Sequence, residues 1–442
     1  MPRAGPSEFT AVLIAGFGEE LRPLTSDHQD EPSAKALLSV ANKPLISFPL
    51  AWLEEAGVTD VLLLCPESHR SGISHYLSSD ASSSSFPKLS IAVRTFLDVF
   101  RNDPSKGTAT VLAQFASDIE GDFIVLPCDL IPPPSLKLST VLDRFRMDPT
   151  GLLAAALFYR TAPPPTNPLV PGETLEAPPA VLLDASDTLL KIEEDVDAEE
   201  LDLRMEMLWS HPRSTLRTDL RDAHVYVFRH QVLSMLDEDV HRFQSIRADL
   251  VPWLVEIQHR ARRRTRWSAR LPPAAERTVM EHSTAHAFAA RNPERRPRGA
   301  DTGDTVIARC AIVVADAALR VNTLSALLEA NRAEVSAATF IPDSSHVLEP
   351  QVQVEPNNIV GSSTRIGERS SIKQSVIGAH CTIGKNVRIK GSVIMDHCVL
   401  ADGAKVDGCI LGTRTSVGEK AQLVQCFTQP GYEIAAGGAS EK

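Results

Sequence analysis

Two histidines and two cysteines recur at one spacing: His380 and His397, and Cys381 and Cys398, each pair 17 residues apart. A histidine within reach of a substrate is a candidate general base. A cysteine is a candidate nucleophile or metal ligand. The pattern around them gives a different reading. Ile366, Ile383, Leu400 and Val417 recur at the same interval of 17, as do Ile372, Ile389, Val406 and Leu423, and Val360, Ile377, Ile394 and Leu411. Three aliphatic tracks spaced 6, 6 and 5 describe a triangular coil of three short strands, each coil stacking like residue on like residue. Small residues follow four places later, Ser370, Val387, Ala404 and Ala421 on one track and Thr364, Cys381, Cys398 and Thr415 on another. The cysteines therefore fill small inward slots as packing residues. The histidines stand one place earlier and point outward as stacked surface rings.

The elements that must position any site occupy the rest of the chain. It has 442 residues, 43% hydrophobic and 23% charged, with 45 Lys+Arg against 56 Asp+Glu and a net charge of −11. That length suggests two or three domains with a sizeable core, and the charge excludes polyanion binding by the chain as a whole. Apolar runs stay far below the roughly 18 residues that span a bilayer; the longest, Gly151 to Tyr159, is strand-length. The start, Met1-Pro2-Arg3-Ala4-Gly5, has no apolar signal core. Seven cysteines without a CxxC pair exclude a zinc ribbon and a fully paired disulfide framework. The expectation is a soluble protein of a reducing compartment, the cytosol.

Over the first 250 residues, Phe9 to Ile14, Val58 to Cys65, Ser90 to Phe96, Asp122 to Leu126 and Gly151 to Tyr159 read as strands. Pro44 to Ala56 reads as a helix with Gly57 as its carboxy-terminal cap. This alternation predicts a doubly wound α/β domain, a parallel sheet with helices on both faces. Ser82 to Ser85 reads as a loop insert and Ala162 to Pro179 as a Pro-rich loop. Seven carboxylates in residues 193–202 read as a solvated face, with a basic partner as the alternative. Arg260, Arg262, Arg263, Arg264, Arg266 and Arg270 open a basic, Pro-rich stretch read as a mobile linker, with RNA or phosphate binding as the alternative. The predicted organisation is a domain at 1–258, the linker at 259–300, a connecting segment at 301–345, the coils at 346–430 and a tail at 431–442.

The coils resemble the hexapeptide-repeat left-handed parallel β-helix, about four coils long. The amino-terminal stretch Leu13-Ile-Ala-Gly-Phe-Gly-Glu-Glu-Leu-Arg-Pro-Leu-Thr25 resembles the nucleotidyltransferase signature LAGGxGTRLxPLT of the sugar-nucleotide pyrophosphorylases. The resemblance continues at Lys35-Ala-Leu-Leu-Ser-Val-Ala-Asn-Lys-Pro-Leu-Ile46, Gly107-Thr-Ala109, Leu126-Pro-Cys-Asp-Leu130 and Asp222-Ala-His-Val-Tyr-Val-Phe228. It implies a turn whose backbone N–H groups approach nucleotide phosphates, an arginine on the triphosphate and an aspartate on magnesium. On this sequence Gly16 and Gly18 keep part of the turn, Lys35 takes the phosphate-lysine place and Asp129 the metal-ligand place. Ala15 replaces the first glycine, and Glu19 and Glu20 stand at the hydroxyl and arginine places. One wrong-sign contact about 4 Å away costs about 4 kcal/mol at an effective dielectric near 20, on the order of a thousandfold in rate. The six residues Gly16, Gly18, Glu19, Glu20, Lys35 and Asp129 are therefore read as a degenerate nucleotide pocket with no catalytic residue, no resident metal and no cofactor.

Within this superfamily, four stretches resemble the gamma-type subunits of translation initiation factor 2B, the guanine-nucleotide exchange factor for initiation factor 2. They are Leu126–Ile131, Asp222–Tyr226, Ser245–Leu254 and Val321–Arg332. Only 19 residues follow Leu423, too few for the helical-repeat domain that carries exchange activity in epsilon subunits. The resemblance implies a non-catalytic subunit that pairs with epsilon and other exchange-factor subunits and helps dock the initiation factor 2 GTPase. Membrane and direct RNA contacts are not expected. Three alternatives stay open: an active nucleotidyltransferase of the mannose-1-phosphate guanylyltransferase kind, a subunit that senses a nucleotide or sugar nucleotide, and acyl transfer by the β-helix.

Overall fold

The computed structural model describes residues 8–27, 32–79, 86–97, 107–148, 151–160, 179–194, 203–238, 242–271, 307–340 and 347–441. The Ser-rich insert, the Pro-rich loop apart from Pro179, residues 195–202 of the acidic run and residues 272–300 of the basic stretch lie outside them.

Seven strands form the amino-terminal sheet: β1 (Phe9–Ile14), β2 (Asp60–Pro66), β3 (Ser90–Phe96), β4 (Asp122–Pro127), β5 (Ala154–Arg160), β6 (Leu220–Phe228) and β7 (Cys310–Ala315). Their order is β7-β5-β6-β4-β1-β2-β3. The run from β4 to β3 is parallel. β6 is antiparallel to both neighbours, so the sheet is mixed where the alternation predicted a parallel one. Alternate residues serve two cores, as the period of two demands. Val12, Leu62, Phe123, Val125 and Tyr226 face one layer, and Leu13, Leu63, Ile124, Leu126 and Val225 the other. The predicted helix spans Ser47–Glu55, and Gly57 follows at φ 77°, the left-handed conformation expected of a terminating glycine.

Two elements differ from the predicted partition. The basic stretch opens with the helix Ala261–Trp267, whose Trp267 is buried at 5.4 Å from Trp253. Its arginines flank an aromatic anchor, so this part is built into the first domain. β7, within the predicted connecting segment, pairs along its whole length with β5 and completes the sheet.

The carboxy-terminal repeat is a three-sided stack of parallel strands. One face runs from Val347–Leu348 to Glu433–Ile434, and a second from Gln353–Val354 to Ala439–Glu441, each with six strands among the described residues. The third has four, Ile359–Val360, Val376–Ile377, Val393–Ile394 and Ile410–Leu411. The stack is thus longer than four coils and continues into the predicted tail. Its first coil is offset, with Gln353 beside Ser371 at a spacing of 18, which hides it from a strict 17-residue repeat. All three aliphatic tracks contribute to one column of core. Cys381 and Cys398 are buried in it, while His380 and His397 are exposed and stack at 5.1 Å with an angle of 5° between their rings.

On the first two faces the outward residues are mostly exposed, but on the third both residues of nearly every strand are buried. The cause is a helix, Leu324–Ala337, capped by the Thr323 hydroxyl accepting from the Ala326 N–H. Its Leu324, Leu327 and Leu328 share one cluster with Val376, Val393 and Ile410 of the third face and with Leu21, Leu24, Leu38 and Val40 of the first domain. Asn331 Oδ1 accepts from the Ala41 N–H, and Asn42 Nδ2 donates to the Ile377 carbonyl. One helix therefore packs against the signature turns on one side and the β-helix on the other.

Candidate functional site

Four of the six predicted pocket residues, Gly16, Gly18, Lys35 and Asp129, meet at the carboxyl ends of β1 and β4, where open α/β sheets place their ligands. β1 and β4 are in register to Ile14 and Pro127, and the Cys128 N–H donates to the Ile14 carbonyl, which brings the glycine turn beside Asp129. Gly18 sits at φ 75°, and a Cβ there would lie 2.8 Å from the Lys35 Cβ. Glycine is required at that position on both counts. Gly16 has no such constraint, since a Cβ there would meet nothing within 4 Å. Gly107 touches the Gln244 carbonyl and would clash at 2.5 Å with any side chain, which gives the Gly-Thr-Ala motif a packing role.

Gly16, Gly18, Lys35 and Asp129 converge, whereas Glu19 and Glu20 are exposed on a short 3-10 turn held by buried Leu21. Glu19 pairs with Arg22 at 3.7 Å, a surface contact of small energetic weight.

Asp129 is fully buried, and its Oδ2 accepts from Lys35 Nζ at 2.5 Å and from Arg320 Nη2 at 3.1 Å. Arg320 Nε reaches Oδ1 at 3.4 Å, and Lys35 Nζ also donates to Asn322 Oδ1 at 2.5 Å. Burial alone would raise the Asp129 carboxyl, but Arg320 and Lys35 outweigh it and hold the group below the ordinary carboxylate range. The same burial, helped by the Asp129 charge, pushes the Cys128 thiol up to about 12, so Cys128 is an inert neighbour.

Sequence reasoning did not find Arg320 or Asn322, which lie 191 and 193 residues beyond Asp129. The signal nearby was the Val321–Arg332 stretch, noted for its resemblance and not for its chemistry. A two-strand ladder of Leu130–Ile131 with Leu319–Arg320, with the Val321 N–H donating to the Asp129 carbonyl, brings them in.

A second buried carboxylate lies on β6. Asp222 Oδ1 accepts from the His224 N–H at 2.7 Å and Oδ2 from the Tyr226 hydroxyl at 2.5 Å. Burial raises its carboxyl to about 6, against the lowering effect of those hydrogen bonds and of Arg247 and Arg320. The chain bulges between Asp222 and Val225, with His224 at φ 57°, and burial depresses the His224 imidazole. Arg247 pairs with Glu194 at 2.7 Å, on the first residues of the acidic run.

The arrangement does not fit a divalent cation on Asp129. Both carboxylate oxygens already accept from cationic donors, and a metal at about 2.1 Å would have to displace Lys35 and Arg320. Arginine and lysine occupy the electrostatic role that a cation would fill.

A family model described as nucleotidyl transferase matches residues 10–169, and one described as the EIF2B subunit epsilon LbH domain matches residues 340–434. The chain is 35% identical over 259 residues to "Translation initiation factor eIF2B subunit gamma" of Schizosaccharomyces pombe, covering 58% of this chain and 52% of that protein. It is 27% identical over 255 residues to the protein of that name in Caenorhabditis elegans, covering 57% and 59%. The match in Dictyostelium discoideum is 25% identical over 409 residues, covering 84% and 87%. The aligned region thus spans little more than half the length of the first two relatives. A mixed α/β sheet bearing the nucleotidyltransferase turns, joined to a hexapeptide β-helix through the Leu324–Ala337 helix, agrees with those matches: the chain is similar to nucleotidyl transferases over its first domain, to the EIF2B epsilon LbH domain over its coils, and to the eIF2B gamma subunits across both.

Proposed function

We propose that this chain is a non-catalytic subunit of a translation initiation factor 2B-type exchange factor, acting in the cytosol. In this reading it pairs with an epsilon-type subunit and helps hold initiation factor 2 while GDP leaves and GTP enters. The observation that carries the non-catalytic part is the Asp129 carboxylate locked by Lys35 and Arg320, in a pocket that also lacks the signature arginine. A triphosphate entering there would meet a carboxylate already neutralised by protein cations, with little charge left to hold a metal against the leaving pyrophosphate.

An exchange factor works by holding the nucleotide-free GTPase more tightly than the GDP-bound form. By linkage it must then weaken GDP by the same factor. A subunit can contribute to that difference through protein contacts alone, with its pocket serving as a rigid joint between the two domains.

The reading is tested by tagging the chain and purifying it natively from its own cells, then reconstituting it with the epsilon-type subunit. Co-elution is expected, together with faster GDP release from initiation factor 2 than epsilon alone gives. With magnesium, nucleoside triphosphates and sugar phosphates, no pyrophosphate is expected. A homo-oligomer without partners, or pyrophosphate release, overturns it.

A further inference from the structure

The two uncovered faces of the β-helix carry different charge. Outward positions of the first face are Arg365, Thr382, Val399, Ser416 and Glu433, a mixed and nearly neutral set. On the second face, Ser371, Arg388, Lys405 and Gln422 stand in one column and Lys373, Lys390, Asp407 and Val424 in the next. Successive rungs of such a ladder are about 4.8 Å apart. Arg388 thus stands directly beside Lys405, and Lys373 beside Lys390, in a protein whose net charge is −11. Like charges in register weaken strand pairing, so a fold gains nothing from this arrangement.

The neighbourhood relieves little of that repulsion. Lys373 pairs with Glu355 at 2.7 Å, and Arg369 Nε donates to Gln351 Oε1 at 3.0 Å. Asp407 is one rung from Lys390 in the same column. Among the described residues, Arg388, Lys390 and Lys405 make no ion pair within 4.0 Å. A hollow of about 670 Å³ lies over this patch, lined by Gln353, Arg369, Ser371, Lys373, Arg388 and Lys390.

We propose that this second face docks a short acidic segment of a partner protein. Charge complementarity selects the occupant: five cations, Arg369, Lys373, Arg388, Lys390 and Lys405, against the carboxylates Glu355 and Asp407. From Ser371 to Gln422 the column spans about 14 Å at that rung spacing, the length of about four residues of extended chain. A segment of that size with three or four carboxylates meets the cations and ends before it reaches the acidic remainder of the molecule. A nucleic acid fits less well. The two columns present no aromatic ring on which a base could stack, and its charge continues at every phosphate past the edge of the patch. The proposal is independent of the exchange-factor reading, because it rests on this face alone.

Fluorescence anisotropy of labelled tetraglutamate with the full chain tests it, at 50 mM and 300 mM salt. Binding is expected at low salt and much weaker at high salt. The double variant Arg388→Glu and Lys390→Glu should bind at least tenfold more weakly, and Arg365→Glu, on the other face, should bind as the parent does. Both variants change exposed side chains, and equal thermal midpoints verify that they fold. No binding by the parent chain, an equal loss in the Arg365→Glu variant, or tighter binding of a four-nucleotide single-stranded RNA than of tetraglutamate overturns the proposal.

Discussion

The β-helix and the nucleotidyltransferase-like pocket solve the problem of burial in opposite ways. In the β-helix, after the offset first coil, inward residues rest on counterparts 17 positions away, Ile383 between Ile366 and Leu400, and Ile389 between Ile372 and Val406. The core is apolar and repetitive, and any coil resembles the next. In the pocket, Lys35, Asp129, Asp222 and Arg320 come from four distant stretches and bury charge on charge. A column of identical contacts spreads a local loss over many equivalent layers. A buried charge network has no substitutes, because each member is the solvent of another.

The largest effect on this contrast is expected from Leu400→Ala, which removes a side chain 1% exposed in the middle of the column. The cost should be about 2–5 kcal/mol by the usual cavity arithmetic, read as a lowered denaturant midpoint. A smaller cost than that would mean the coils collapse to fill the gap and the column is softer than its packing implies.

The pocket is sharpened by pH. Asp222 titrates at about 6 in the folded chain, against an ordinary value of 3.8. Between those pH values the folded state holds a proton that the unfolded state has lost, so the folded state binds more protons and stability rises as pH falls. The gap between the folded and unfolded values is worth about 3 kcal/mol at most. Measured relative to the parent, Asp222→Asn should lose this slope between pH 7 and pH 4. Parallel stability curves for the two proteins would show that Asp222 is solvated and the pocket open.

The smallest effect belongs to the histidine pair. His397→Ala should change stability by no more than about 0.5 kcal/mol, since the ring is exposed and stacks on His380 at the surface. A loss of several kcal/mol would make the stacked rings part of the fold.

Legibility in the sequence follows the same division. The three aliphatic tracks and the inward cysteines could be read directly, because a residue in a parallel stack meets its repeat neighbour at a fixed spacing. The first coil escaped since one extra residue shifts Gln353 to 18 positions from Ser371. In the first domain the early strands were visible from apolar runs. The reversed direction of β6 and the return of β7 to the sheet edge were not, because strand direction is a property of the partner and not of the run. Gly18, Lys35 and Asp129 could be named through resemblance, but their ion-pair state could not.

What the sequence determined by itself, then, is everything whose cause is local or periodic: the α/β alternation, the glycine at a left-handed turn, the coil and its inward tracks. Tertiary structure alone decided that Arg320 and Asn322 enter the pocket, that Leu324–Ala337 covers the third face of the β-helix, and that a basic face is left open beside it. The physical reason is distance along the chain. Apolar period and backbone strain act within a few residues, whereas the charge that neutralises Asp129 arrives from 191 residues away on a strand pair of two residues.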